Sequence, residues 1–145
     1  MKRIFIWLFG FGLLVGCEPE QTDDPIPYQP FDVIHINLNL PEYINLKMDG
    51  GFKYLVDGGI KGLIVYRQNS SRYLTYDRYC SYQPNSVCAT VEVHVSTLYM
   101  LCACCNSTFD LATGYPTGGP AWRPLRQYET SLNGSEIVIT DLIVE

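Results

Sequence analysis

From Phe31 onward apolar and polar side chains alternate along the chain. Ile34, Ile36, Leu38 and Leu40 share one face while His35, Asn37 and Asn39 share the other, the period-two pattern of a strand with one face buried. Runs rich in β-branched and aromatic residues predict further strands over 52–56, 63–67, 73–77, 91–95, 98–102 and 137–144, because such side chains fit a pleated, half-buried surface. Turn chemistry separates several of them, at Asp49-Gly50-Gly51, Asp57-Gly58-Gly59 and Asn133-Gly134. No stretch of ten or more residues carries a helical period. Short strands with turns between them predict an all-β domain over 31–145, an antiparallel sandwich or barrel.

The first thirty residues follow a different pattern. Lys2 and Arg3 precede an apolar run from Ile4 to Val15 that closes in Leu14-Val15-Gly16-Cys17. A charged start, a short apolar stretch and a small residue at its end describe an export leader, and the run is too short to span a bilayer comfortably. The closing tetrapeptide resembles a lipobox, which implies cleavage after residue 16 and acylation of Cys17. Residues 17–30 (Cys17-Glu-Pro-Glu-Gln-Thr-Asp-Asp-Pro-Ile-Pro-Tyr-Gln-Pro30) are acidic and proline-rich and read as an extended tether. Glu18, Glu20, Asp23 and Asp24 also resemble the acidic sequences that route Bacteroidetes lipoproteins to the cell surface, and they serve equally as a solvated spacer. The expected location is the cell envelope, lipid-anchored at the outer membrane or cell surface.

The full chain carries a net charge of −5. Loss of the basic leader leaves about −7. That sign opposes phosphate backbones and anionic headgroups, so nucleic acid is excluded as a partner and the lipid itself must hold the membrane. A domain of this size buries enough surface to fold without disulfide scaffolding. Its cysteines therefore need another explanation.

Cys80 and Cys88 form one cluster and Cys102, Cys104 and Cys105 a second. Both fall at predicted strand ends, where two loops can converge on one metal ion or cluster. Disulfides in an oxidising compartment are the alternative. An odd number of thiols in the mature body means that pairing alone leaves one over.

The stretch Cys102-Ala-Cys104-Cys105-Asn-Ser107-Thr-Phe109-Asp110, then Thr113-Gly114, then Gly119-Pro120-Ala121-Trp122-Arg123-Pro124-Leu125, with Tyr128 and Gly134 beyond, resembles the second half of Rieske iron–sulfur domains. In that family the second loop reads Cys-x-Cys-His-x-Ser-x-Phe-Asp and is followed by Thr-Gly and a Gly-Pro-Ala loop that covers the cluster. The resemblance spans about residues 52–145, and Cys80 follows Tyr73-Leu-Thr-Tyr-Asp77 as the family's first ligand follows its strand. It implies a [2Fe-2S] electron-transfer domain with Cys80 and Cys102 as cysteine ligands. It further implies an inter-loop disulfide between Cys88 and Cys104, with Ser107 hydrogen-bonding toward the cluster and Pro120 in the covering loop.

The departure lies at the metal. Tyr82 and Cys105 occupy the two positions where the family places histidines. His35 and His94, read as exposed mid-strand residues, do not replace them. Three outcomes stay open: a two-iron cluster held by Cys80, Cys102 and Cys105 with Cys88 or Tyr82 as fourth ligand; a zinc site of Cys80, Cys88, Cys102 and Cys105; or loss of the metal. Clusters inserted in the cytoplasm cross the membrane in folded proteins, which requires a twin-arginine leader. Lys2-Arg3 followed directly by an apolar run is instead ordinary for the unfolded-chain route.

No Ser-His-Asp arrangement, phosphate loop or metal-hydrolase spacing is present, so no catalysis is expected within this chain. The expected function is that of a membrane-anchored Rieske-like lipoprotein, ancestrally an electron-transfer domain, with altered or lost cluster ligation. The alternative is a metal-free or zinc-stabilised binding or structural module of the envelope. A redox partner would dock around Tyr82 and Trp122 at the loop tips, whereas a saccharide or peptide would use a sheet face lined by some of the 11 tyrosines.

Overall fold

The structure, a computed structural model, describes residues 24–144. The leader, Cys17 and the first part of the tether lie outside the described residues. Ten strands follow in order: β1 (Ile34–Asn37), β2 (Phe52–Leu55), β3 (Leu63–Asn69), β4 (Arg72–Asp77), β5 (Val91–Val93), β6 (Met100–Cys102), β7 (Ser107–Phe109), β8 (Pro116–Gly118), β9 (Gln127–Asn133) and β10 (Glu136–Ile143). A short 3-10 helix, Pro41–Lys47, follows β1. No helix among the described residues is long and apolar enough to cross a membrane.

Two antiparallel sheets result. The larger has the order β1-β10-β9-β4-β3-β2, and the smaller has the order β5-β6-β7-β8. The smaller sheet is an insertion in the larger one, leaving after β4 and returning at β9. Strand β3 shows how the two are joined, because Leu63, Ile64 and Val65 are all fully buried although successive side chains point to opposite faces. Leu63 and Val65 pack with Ile36, Leu46, Tyr73, Tyr128, Ile137 and Ile139 in one core. Ile64 packs with Leu74, Tyr76, Val91, Met100, Cys102 and Phe109 in the other. The larger sheet is therefore covered on both faces at its centre, and the second core is shared with the smaller sheet.

The predicted strands appear with adjusted ends. Those expected at 91–95 and 98–102 shorten to Val91–Val93 and Met100–Cys102, because the chain turns between them. His94 consequently lies just past β5 and stacks on Tyr99 with ring centroids 4.4 Å apart, not mid-strand as expected. His35 does lie within β1, exposed, with Nδ1 3.3 Å from Glu136. Strands β7, β8 and β9 carry no clear apolar alternation and escaped the pattern.

The described part of the tether has no regular structure but is hydrogen-bonded to the domain. Arg123 donates to the carbonyl of Asp24 at 2.7 Å. Arg126 donates to the carbonyls of Ile26 and Pro27, and the Tyr28 hydroxyl donates to Asp141 at 2.7 Å.

Candidate metal centre

The first cysteine loop leaves β4 at Asp77, a buried carboxylate that organises the exit. It accepts the Tyr79 N–H at 3.0 Å, the Ile60 N–H at 3.1 Å and the Tyr128 hydroxyl at 3.0 Å. Burial first, and the neighbouring Asp77 charge second, push the Tyr128 phenol above its ordinary value. The loop then folds back on itself: Tyr79 bridges Thr90, and the Cys80 N–H donates to the Ala89 carbonyl at 3.1 Å. These bonds fix Cys80 in the interior.

The second loop is a tight connection between Cys102, the last residue of β6, and Ser107, the first of β7, which are direct cross-strand partners. Asn106 closes it with φ of 57°, a left-handed conformation that asparagine tolerates better than most side chains. Its N–H donates to the Cys102 carbonyl at 2.8 Å.

The loop between β8 and β9 lies over the second one. A Cβ on Gly119 (φ +80°) would stand 2.6 Å from the Ser107 Cα, so only glycine permits this approach. Next to it, the Ala121 N–H donates to the Ser107 hydroxyl at 3.0 Å. The Ser81 hydroxyl donates to the Arg123 carbonyl at 2.7 Å, and the Arg123 guanidinium returns a bond to the Ser81 carbonyl at 2.9 Å. The Gly119-Pro120-Ala121 segment is thereby tied to both cysteine loops, with Pro120 half-buried between those contacts.

Three thiols converge within this frame. The sulfurs of Cys80, Cys102 and Cys105 all lie within 4.8 Å of one another, and those of Cys80 and Cys105 are 3.6 Å apart. Cys80 and Cys102 are buried, whereas Cys105 is partly exposed. Cys88 is not among them. It stands at disulfide distance from Cys104, with a Cα–Cα separation of 5.4 Å, and the Ser86 hydroxyl lies 3.2 Å and 3.4 Å from those two sulfurs. The zinc set that includes Cys88 is therefore not assembled, nor is Cys88 placed as a fourth ligand. Tyr82 is half-buried and packs against the same apolar cluster as the thiols.

Each gathered sulfur has a polar neighbour. The Tyr82 backbone N–H faces Cys80, and those of Cys105 and Cys104 face Cys102. The Cys105 sulfur lies 3.1 Å from the Ser107 hydroxyl. Cys102 is drawn below the ordinary thiol value, first by its hydrogen bond with Cys80 and then, against burial, by those N–H groups. Cys80 moves upward through the same bond and through burial.

This donor set does not fit a histidine-ligated [2Fe-2S] group. Neither histidine is in the cluster: His35 pairs with Glu136 on the surface and His94 with Tyr99 and Ser96 at the β5–β6 turn. The sulfur spacing suits one ion better than two, since metal–sulfur bonds of about 2.3 Å set tetrahedral sulfur–sulfur edges of about 3.8 Å.

No family model matches the sequence, and no curated protein matches it. Chains of solved structures do. A ferredoxin of carbazole 1,9a-dioxygenase from Nocardioides aromaticivorans IC177 is 22% identical, with a TM-score of 0.45 over 64% of this chain and 86% of that one. A chain from a complex of reduced oxygenase and oxidized ferredoxin in carbazole 1,9a-dioxygenase is 18% identical, with a TM-score of 0.47 over 68% and 87%. A Sphingomonas yanoikuyae B1 ferredoxin is 18% identical, with a TM-score of 0.48 over 64% and 87%. The likeness is one of fold. The chain itself is all-β, with two antiparallel sheets, and the chemistry of its tip is set by its own residues.

Sequence reasoning missed the groups that hold the site in place. Ser81, Ser86 and Arg123 belong to no common metal-ligating type, and Asp77 to no ligand pattern. Only Asp77 left a signal, as a carboxylate ending an otherwise apolar run.

Proposed function

We propose that this chain is an envelope lipoprotein in which an electron-transfer-type scaffold carries a thiol-only tip in place of a histidine-ligated cluster. One observation carries the reading: Cys80, Cys102 and Cys105 are gathered at the loop tip, while Tyr82 and Cys105 stand where the resemblance places histidines. The Cys88–Cys104 pair braces the two loops without joining the thiols. Attachment through an acylated Cys17 is supported by the leader and the Leu14-Val15-Gly16-Cys17 sequence.

In this reading the chain catalyses nothing by itself and works by presenting its tip to another envelope protein. Trp122 on the covering loop and Val87 on the first cysteine loop are both exposed, which supplies apolar contact area beside the thiols. The ligation is tested by the double substitution Tyr82→His with Cys105→His, followed by anaerobic cluster reconstitution. The variant should take up iron and sulfide better than the native chain. Equal uptake by the two would show that histidine loss does not govern the site. The anchor is tested by mass spectrometry of the mature N-terminus, where an unmodified Cys17 or cleavage elsewhere would refute it.

A further inference from the structure

We infer that the pocket formed by Cys80, Cys102 and Cys105 binds a single divalent thiophilic ion of the zinc class, with its fourth coordination position open on the Cys105 side. The inference rests on the thiol-only reading of the tip. It differs from a four-cysteine zinc site in both ligand set and consequence, because Cys88 is held with Cys104 and one position remains for water or an external ligand.

Geometry is the first support. Three sulfurs within 4.8 Å of one another, one pair at 3.6 Å, enclose a point close to bonding distance from each, given the about 3.8 Å edge of a tetrahedral thiolate site. Little movement is needed, because the loops are already fixed by Asp77, by the Cys88–Cys104 pair and by the covering loop.

The surroundings are the second support. Metal-bound thiolates are held by outer donors that orient them and spread their charge. Here Cys80 faces the Tyr82 N–H and Cys102 faces the N–H groups of Cys104 and Cys105, while the Cys105 thiol donates to the Ser107 hydroxyl. A cluster that merely filled core volume would have no need of backbone donors aimed at its two buried sulfurs.

Charge selects among thiophilic ions. Soft thiolate sites take zinc, monovalent copper or iron–sulfur clusters. Three thiolates around a divalent ion leave one net negative charge, and around monovalent copper they leave two. The pocket sits in an apolar cluster with Met100, Phe109 and Leu111, where each uncompensated charge is costly. The divalent ion is therefore favoured. It would also account for reduced thiols in an oxidising envelope, where neighbouring sulfurs otherwise pair.

The test uses the full mature chain, purified without chelator and analysed for metals, then stripped and titrated with Zn²⁺ and with Co²⁺. One ion per chain is expected, and the cobalt form should show intense tetrahedral d–d bands with sulfur-to-metal charge transfer. Cys80→Ser, Cys102→Ser and Cys105→Ser should each weaken Zn²⁺ binding by more than the roughly 10- to 100-fold that loss of an outer-shell partner costs. The double variant Cys88→Ser with Cys104→Ser should keep one ion per chain, a comparison that remains informative if a buried single variant fails to fold. Binding of copper alone, loss of the ion in the double variant, or two irons with sulfide per chain would overturn the inference. A folded native chain that binds no metal would overturn it too, while leaving the thiol-only reading of the tip intact.

Discussion

The two sheets are stabilised in different ways. The larger one has strands of up to 8 residues, such as Glu136–Ile143, and at its centre the apolar side chains of β3 are buried on both faces. The smaller one consists of strands of 3 residues each and owes its shape to turns, cross-loop hydrogen bonds and the Cys88–Cys104 pair. Three-residue strands make few ladder hydrogen bonds, so beside the burial of Val91, Met100 and Phe109 in the shared core a tip of this kind depends on polar and covalent ties. The same ties let it present sulfurs that a longer strand would have hidden. Both sheets contribute buried side chains, and the chemistry lies in the tip.

Substitutions in the two regions should therefore differ in size and in reach. The largest effect is expected from Leu63→Ala, which opens a cavity in the fully buried base core and should cost about 2 to 5 kcal/mol by denaturant titration, unfolding both sheets together. Removing the inter-loop pair by Cys88→Ser with Cys104→Ser should cost about 2 to 3 kcal/mol, given the sequence separation of 16. Hydrogen exchange should then rise in the smaller sheet before the larger one.

Asp77→Asn stands between the regions. It leaves one acceptor oxygen for the Tyr79 and Ile60 N–H groups and the Tyr128 hydroxyl, and the unpaired groups should cost about 1 to 3 kcal/mol. A shift confined to the base would contradict its role in positioning Cys80. The smallest effect is expected from pH. Burial raises the phenols of Tyr76 and Tyr128 above their ordinary value, so the folded state favours their protonated forms. The associated stability is complete below about pH 10, the ordinary phenol value, and declines as pH rises beyond it. Thermal unfolding from pH 7 to 11 should follow that course, and Tyr128→Phe should flatten it.

Legibility in the sequence followed the same division. Apolar alternation marked β1, and runs of β-branched and aromatic residues marked β2 to β4 and β10, because those strands face a core, and the three-part motif from Cys102 to Leu125 marked the tip because glycine and proline leave fixed signatures. Strands β7 and β8 were not legible, since Ser107–Phe109 and Pro116–Gly118 are too short to show a period. Within the site, the resemblance carried Cys88 onto a pairing with Cys104, and the structure places those two residues at that distance. Spacing by itself had left Cys88 equally available as a ligand. Sequence separation could not show that Ser86 and Arg123 would hold the loops, because hydrogen bonds between distant loops leave no periodic trace.

The account depends most directly on the absence of a histidine-ligated cluster, and low-temperature electron paramagnetic resonance of the chemically reduced native protein tests it. The thiol-only tip predicts no rhombic signal of the Rieske type from protein purified anaerobically with its anchor. Such a signal, at an intensity approaching one centre per chain, would contradict the account.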